Sequence, residues 1–245
     1  MSIERFPWLN DAIRAHQKIT FPSSSIIEGE SGLAKKQLAK YFAQKLLCSD
    51  EFAPCGVCNS CNYFLAGSHP DYCFLDNDTC SSVLHTYSKA KKEALTSNKI
   101  EGIRALNEFI AMTNSVSEKR IAIVFDAHSM NINAQNALLK TLEELPENKH
   151  IFLISNQRKY FLPTIYSRSS LITIKNPDSQ DLNQWIADQG YIDFSSLNFA
   201  PDSTPLQIEH LINNDLAGQY IDISQNLNSY CLGEKTTPDL LKFYK

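Results

Sequence analysis

Ser25-Ile26-Ile27-Glu28-Gly29-Glu30-Ser31-Gly32-Leu33-Ala34-Lys35-Lys36 sets a short apolar run before a glycine-punctuated turn, with a helical pattern opening at Leu33. Strand, glycine loop, helix is the order in which a phosphate-binding loop occurs. In a working loop of the form G-x-x-x-x-G-K-[ST], glycines let backbone N–H groups curl around phosphate, the lysine reaches the outer phosphates and the hydroxyl holds Mg²⁺. Gly29 and Lys35 fill the first glycine and lysine positions, but Ala34 replaces the second glycine and Lys36 the hydroxyl. Glu30 adds a negative charge where phosphates would sit. The residues Gly29, Gly32 and Lys35 therefore predict a degenerate loop that keeps its shape and holds ATP weakly or not at all.

Working outward, β-rich runs recur at Tyr72 to Asp76, Arg120 to Phe125, His150 to Ser155 and Leu171 to Lys175, each apolar enough for burial on both faces. Between them, Leu33 to Leu47, Ile100 to Thr113 and Asn133 to Leu145 carry apolar residues at helical spacing. Alternating strands and helices predict an α/β fold with a parallel sheet covered on both faces. After Asn176-Pro177 the strand signal stops, and Asp181 to Asp188, Pro205 to Asn213 and Leu216 to Leu227 read as short helices. The predicted division is a core over 1–175 and a small helical domain over 176–245. Asn77 to Asn98 is polar and weakly periodic and reads as a loop or mobile helix, its Lys89, Lys91 and Lys92 forming a solvated face.

The run Ile121 to Phe125 ends in Asp126-Ala127-His128. A nucleotide-hydrolysing site would present an Asp here for the metal and then a Glu to activate water. Asp126 is present, whereas Ala127 cannot polarise water. A second catalytic position is thus missing, so Asp126 belongs with the degenerate loop.

Cys48, Cys55, Cys58 and Cys61 fall within one short segment, the last three at consecutive x2 spacings. Zinc takes four soft ligands in a tetrahedron, and C-x2-C places two thiolates on one tight turn. The fourth ligand is Cys48, His69 or Cys73, with Cys48 favoured because it ends the preceding helix and closes a loop. No open coordination position is indicated, so the predicted Zn²⁺ in the 48–61 module is structural.

The 245 residues carry net charge −4, with 17 lysines and six arginines. Long-range attraction to nucleic acid is therefore not expected. Seven cysteines form no complete disulfide framework. No apolar run approaches the roughly 18 residues of a membrane span, and Glu4 and Arg5 stand where a signal peptide needs apolar residues. The expected location is cytoplasmic, with no membrane partner.

Five pieces together resemble the clamp-loader AAA+ family: Pro7-Trp8-Leu9, the cysteine module, Ala66-Gly67-Ser68-His69-Pro70-Asp71-Tyr72, Asn133-Ala134-Gln135-Asn136-Ala137-Leu138-Leu139-Lys140-Thr141-Leu142-Glu143-Glu144, and Ser167-Arg168. The likeness extends over about residues 5 to 175. It implies an AAA+ P-loop-like core with an inserted zinc module and a small helical lid. The implied role is a non-hydrolysing stator subunit of the DNA polymerase III clamp loader, which loads the sliding clamp onto primed DNA in replication. The implied partners are the gamma/tau motor subunits and the delta subunit, with the clamp met indirectly and primed DNA met within the complex. By motif match, Arg168 becomes an arginine finger offered in trans to a neighbouring ATPase, with Ser169 where the family motif has Cys. Asp202-Ser203-Thr204-Pro205-Leu206-Gln207 lacks the nucleotide-sensing Arg of active subunits, and the residues after about Asn213 are too few for the family's collar domain. Two other readings stay open: a weakly active AAA+ ATPase using Lys35 and Asp126, and a zinc-bearing nucleic-acid adaptor.

Overall fold

Four of the five described strands are buried along their whole length, as the near-continuous Ile, Leu, Val and Phe runs at their centres require. A computed structural model describes residues 3–16, 21–76 and 100–234, so the stretch Asn77 to Asn98 lies outside the described residues. The strands β1 (Ser24–Glu28), β2 (Tyr72–Leu75), β3 (Arg120–Val124), β4 (Lys149–Ser155) and β5 (Ser170–Thr173) form one sheet in the order β2-β3-β4-β1-β5, every pair parallel. The register sets Ile26 opposite both Leu153 and Leu171, and Phe152 opposite Ile123.

Period-two alternation divides the strand residues between two helical layers. Ile151 and Leu153 of β4 join a core with Ile103, Leu106 and Ile110 of α4 (Ile100–Ala111) and Leu138 and Leu142 of α5 (Ile132–Glu143). Phe152, between them, faces the other way. Its ring centroid lies 5.3 Å from Phe21 and 6.3 Å from Phe42 of α2 (Lys35–Leu47). The expected α/β class, a parallel sheet with helices on both faces, is the observed one.

Two details differ from the sequence reading. β5 is an edge strand among the described residues, with only Ile172 buried and Leu171 49% exposed, because β1 is its sole described neighbour. Helix α2 begins at Lys35 rather than Leu33, because Ala34 takes a left-handed backbone with φ 58°. Two short helices were not signalled by periodicity: α1 (Asn10–Ala15) and α3 (Asn59–Leu65). Helix α6 (Pro163–Tyr166) is a single turn opened by proline.

The chain divides into two compact units, Met1–Glu30 with Ala34–Ile174, and Ser31–Leu33 with Lys175–Lys245. The second holds α7 (Ser179–Asp188), α8 (Pro205–Asn213) and α9 (Ala217–Cys231) around buried Leu182, Trp185, Ile186, Phe199 and Ile208. Thr204 and Gln207 form a capping box at the start of α8. Within this unit the Thr204 hydroxyl also donates to the Ser31 carbonyl at 2.7 Å, and the Leu206 amide to the Gly32 carbonyl at 3.2 Å. Gly32 has φ +86°, and a Cβ there would lie 2.1 Å from Thr204 Oγ1, so only glycine fits.

The first unit is pinned at one end by a fully buried carboxylate. Asp71 accepts the amides of Ser115, Val116 and Ser117 at 2.7–2.9 Å and the Arg120 Nη2 at 2.8 Å. Both side chains of the ion pair are nearly inaccessible. Removing the charge from one partner of such a pair costs about 3–5 kcal/mol. Asp71→Asn is therefore expected to lower unfolding free energy by about 3 kcal/mol in urea denaturation; a loss below about 1 kcal/mol would contradict this role for the pair.

Candidate metal centre, phosphate loop and arginine

The four sulfurs of Cys48, Cys55, Cys58 and Cys61 lie within 4.8 Å of one another. Cys48 Sγ is 3.5 Å from Cys55 Sγ and 3.8 Å from Cys58 Sγ. A tetrahedron with metal–sulfur bonds of about 2.3 Å has sulfur–sulfur edges of about 3.8 Å. The cluster therefore fits a four-thiolate metal ion, a donor set compatible with structural zinc. Its electrostatics are uneven. The Cys61 amide pulls the Cys58 thiol down to about 6, while burial pushes the Cys61 thiol up to about 12. Ion binding supplies the positive charge that lets crowded thiols ionise together.

Local structure presents these ligands. Cys48 follows the last residue of α2, and Cys58 is the N-cap of α3, its sulfur accepting the Cys61 amide at 3.4 Å. The other candidates for the fourth position sit elsewhere. Cys73 is buried in β2 with the α4–α5 core. His69 Nδ1 accepts the Asp71 amide at 3.0 Å, which leaves its Nε2–H to donate to Ser60 Oγ at 2.8 Å. Ser60 and Ser117 in turn both donate to the Leu47 carbonyl, at 2.7 and 2.8 Å. The Ser68-His69-Pro70-Asp71 turn thus ties the cysteine module to the sheet through His69 and Asp71.

In the phosphate-loop region, the Lys35 ammonium donates to the Glu30 carbonyl of its own loop, and the residue is buried. Burial pulls the Lys35 amine down to about 8, against the opposing charges of Asp126 and Glu30. Lys36, at the hydroxyl position, pairs with Asp76 at 3.3 Å and lies 4.7 and 4.8 Å from the ring centroids of Phe74 and Phe125. The Gly29 amide donates to the Ser155 carbonyl of β4 at 3.3 Å. Asp126 has φ 48° and accepts Asn156 Nδ2 at 3.1 Å; burial raises its carboxyl above the ordinary range. Ala127, at the water-activating position, is fully buried.

Arg168 lies in the turn after α6. Its Nη2 pairs with Glu143 Oε1 at 2.7 Å, and its Nη1 donates to the Thr164 carbonyl at 3.0 Å and Ser167 Oγ at 3.3 Å. Both side chains of the pair remain about a third to a half exposed. Motif and spacing point to Arg168 but not to the pairings of Glu143, Asp76 and Ser117, whose partners lie tens of residues away along the chain.

Two outcomes follow from this geometry. Elemental analysis of purified protein should find about one metal ion per chain, and Cys55→Ser should lose the ion and lower the melting temperature; a metal-free protein of equal stability would refute the assignment. For Lys35, whose folded value of about 8 lies below the ordinary 10.5, the unfolded chain binds the extra proton. Stability should therefore rise from about pH 8 to 10.5, by up to about 3 kcal/mol. Lys35→Met should abolish that increment in denaturation curves recorded across the interval, and an unchanged pH slope would show that Lys35 is not desolvated.

Comparison with known proteins places the chain in a family. The family described as DNA polymerase III, delta subunit, matches residues 8–178. The delta′ subunit of DNA polymerase III from Pseudomonas aeruginosa is 32% identical over 164 residues, covering 66% of this chain and 46% of that protein. The tau subunit from Bacillus subtilis is 30% identical over 165 residues, covering 65% of this chain and 26% of its own. A solved gamma-subunit-related protein of DNA polymerase III from Thermotoga maritima overlays with a TM-score of 0.47 at 21% identity, covering 78% of this chain and 55% of that one. The chain spans about half the length of the delta′ relatives from Pseudomonas aeruginosa and Haemophilus influenzae. The matched span takes in the whole sheet, the four cysteines and Arg168, and the chain belongs to the DNA polymerase III delta subunit family.

Proposed function

We propose that this chain is a delta′-type, non-hydrolysing stator subunit of a DNA polymerase III clamp loader. The observation that carries the reading is the capture of Lys35 by the Glu30 carbonyl of its own loop. A phosphate-loop lysine works as a point charge aimed at the outer phosphates. Here that charge is buried, satisfied and shifted toward neutrality. Lys36 supplies a cation where magnesium needs an oxygen ligand, and Ala127 replaces the group that would activate water.

On this reading, residues 1–175 form the AAA+ core and 176–245 a helical lid. The four cysteines hold a structural zinc ion, and the chain works in the cytoplasm among gamma/tau motor and delta subunits that place a sliding clamp on primed DNA. Its contribution to hydrolysis is Arg168, presented in trans to the ATP of a neighbour. A guanidinium there stabilises charge that develops on the transferring phosphoryl group and is worth about 10³–10⁵ in rate in other systems. A weakly active ATPase is the second reading, favoured by the charge of Asp126 acting on Lys35.

The test is reconstitution of the assembly with Arg168→Ala. Because Arg168 is partly exposed, the variant should fold as the parent does. DNA-stimulated ATP turnover should fall sharply, with the facing site slowed by about 10³. Unchanged turnover would refute the finger.

A further inference from the structure

Glu143 is the last residue of α5, and Glu144 follows it as the C-cap. The C-terminal end of a helix carries partial negative charge and disfavours acids. The macrodipole therefore does not account for a carboxylate there. Its one described ion pair is with Arg168 Nη2, 2.7 Å away. Across from it, the Thr164 carbonyl and Ser167 Oγ take the Nη1 donors. The guanidinium is thus held by two separate elements, the end of α5 and the α6 turn.

We propose that Glu143 is a positioning residue for Arg168, fixing the guanidinium in the orientation it presents to a neighbouring phosphoryl group. The inference rests on the reading of Arg168 as a trans-acting finger. A guanidinium has five N–H donors in a rigid fork. Two hydrogen bonds engage Nη1 and the Glu143 carboxylate pairs ionically with Nη2, which leaves the Nε–H edge of the fork for an incoming anion. Without Glu143 the side chain regains its rotamer freedom, and that entropy must be lost again each time the transition state forms. The half-exposed pair is strong enough to bias an orientation and weak enough to leave folding unaffected.

The test is carried out on the complete reconstituted loader with primed DNA and clamp, measuring the part of ATP turnover that Arg168→Ala removes. Glu143→Ala should lower kcat for that part by about fivefold to thirtyfold, the upper bound being the full rotamer entropy of an arginine. KM for ATP should change less than about twofold, since positioning acts on the transition state. Glu143→Gln, which keeps an acceptor oxygen at the same reach, should recover most of the rate. Thermal melts of the two Glu143 variants should match the parent, so that a rate change is not a folding effect. Turnover unchanged by Glu143→Ala while Arg168→Ala is impaired would overturn the positioning role alone. Faster turnover with Glu143→Ala would also overturn it, by showing that the carboxylate restrains the finger. No loss with Arg168→Ala would overturn the finger and the positioning role together.

Discussion

A carboxylate taken out of water costs several kcal/mol, and an arginine beside it costs as much again unless each finds a full set of partners. Asp71 meets that demand with three backbone amides and Arg120. The consequence is positional. The three amides fix the 115–117 loop at the entry to β3, and the same loop's Ser117 donates to the Leu47 carbonyl at the end of α2. Leu47 precedes Cys48, so the place where the cysteine cluster can close is set by a chain of hydrogen bonds that begins at Asp71. His69, two residues earlier, adds a second link through Ser60.

Strands β1 to β4 were legible in the sequence because a parallel strand covered on both faces carries a near-continuous apolar run at its centre, even where its ends bury polar residues such as Ser25 and Arg120. β5 was over-read for a physical reason: an edge position leaves half of a similar apolar run exposed. The four cysteines were legible because thiolate convergence is written in local spacing. The beginning of α2 was not, since nothing about Ala34 as a residue type announces a left-handed backbone. The partners of Arg168, Asp71 and Lys36 were illegible for a different reason. Glu143, Arg120 and Asp76 lie 25, 49 and 40 residues from them along the chain, and such pairings are decided by the packing of whole elements. The Ser68 to Asp71 turn was visible as a motif, but its work depends on residues 115–120, which no local pattern connects to it.

The same principle of internal satisfaction separates the two functional regions. In the phosphate loop the groups that would meet nucleotide are already engaged: Lys35 by its own loop, Lys36 by Asp76 and two aromatic rings, the Gly29 amide by β4. Binding phosphate there would require these contacts to be broken first. Arg168 is engaged only in part and at the surface, with donors to spare. Under the proposed function, the loop closed upon itself and the arginine left able to meet a partner are the division of labour expected of a subunit that assists hydrolysis without performing it.

Whether the phosphate loop still takes nucleotide decides between a stator and a working ATPase. Calorimetric titration of the purified chain with Mg-ATP, with phosphate release measured on the same sample, addresses it directly. The expected result is no binding heat up to millimolar ATP and no turnover. Micromolar affinity accompanied by hydrolysis would contradict it and make Lys35 and Asp126 a working site.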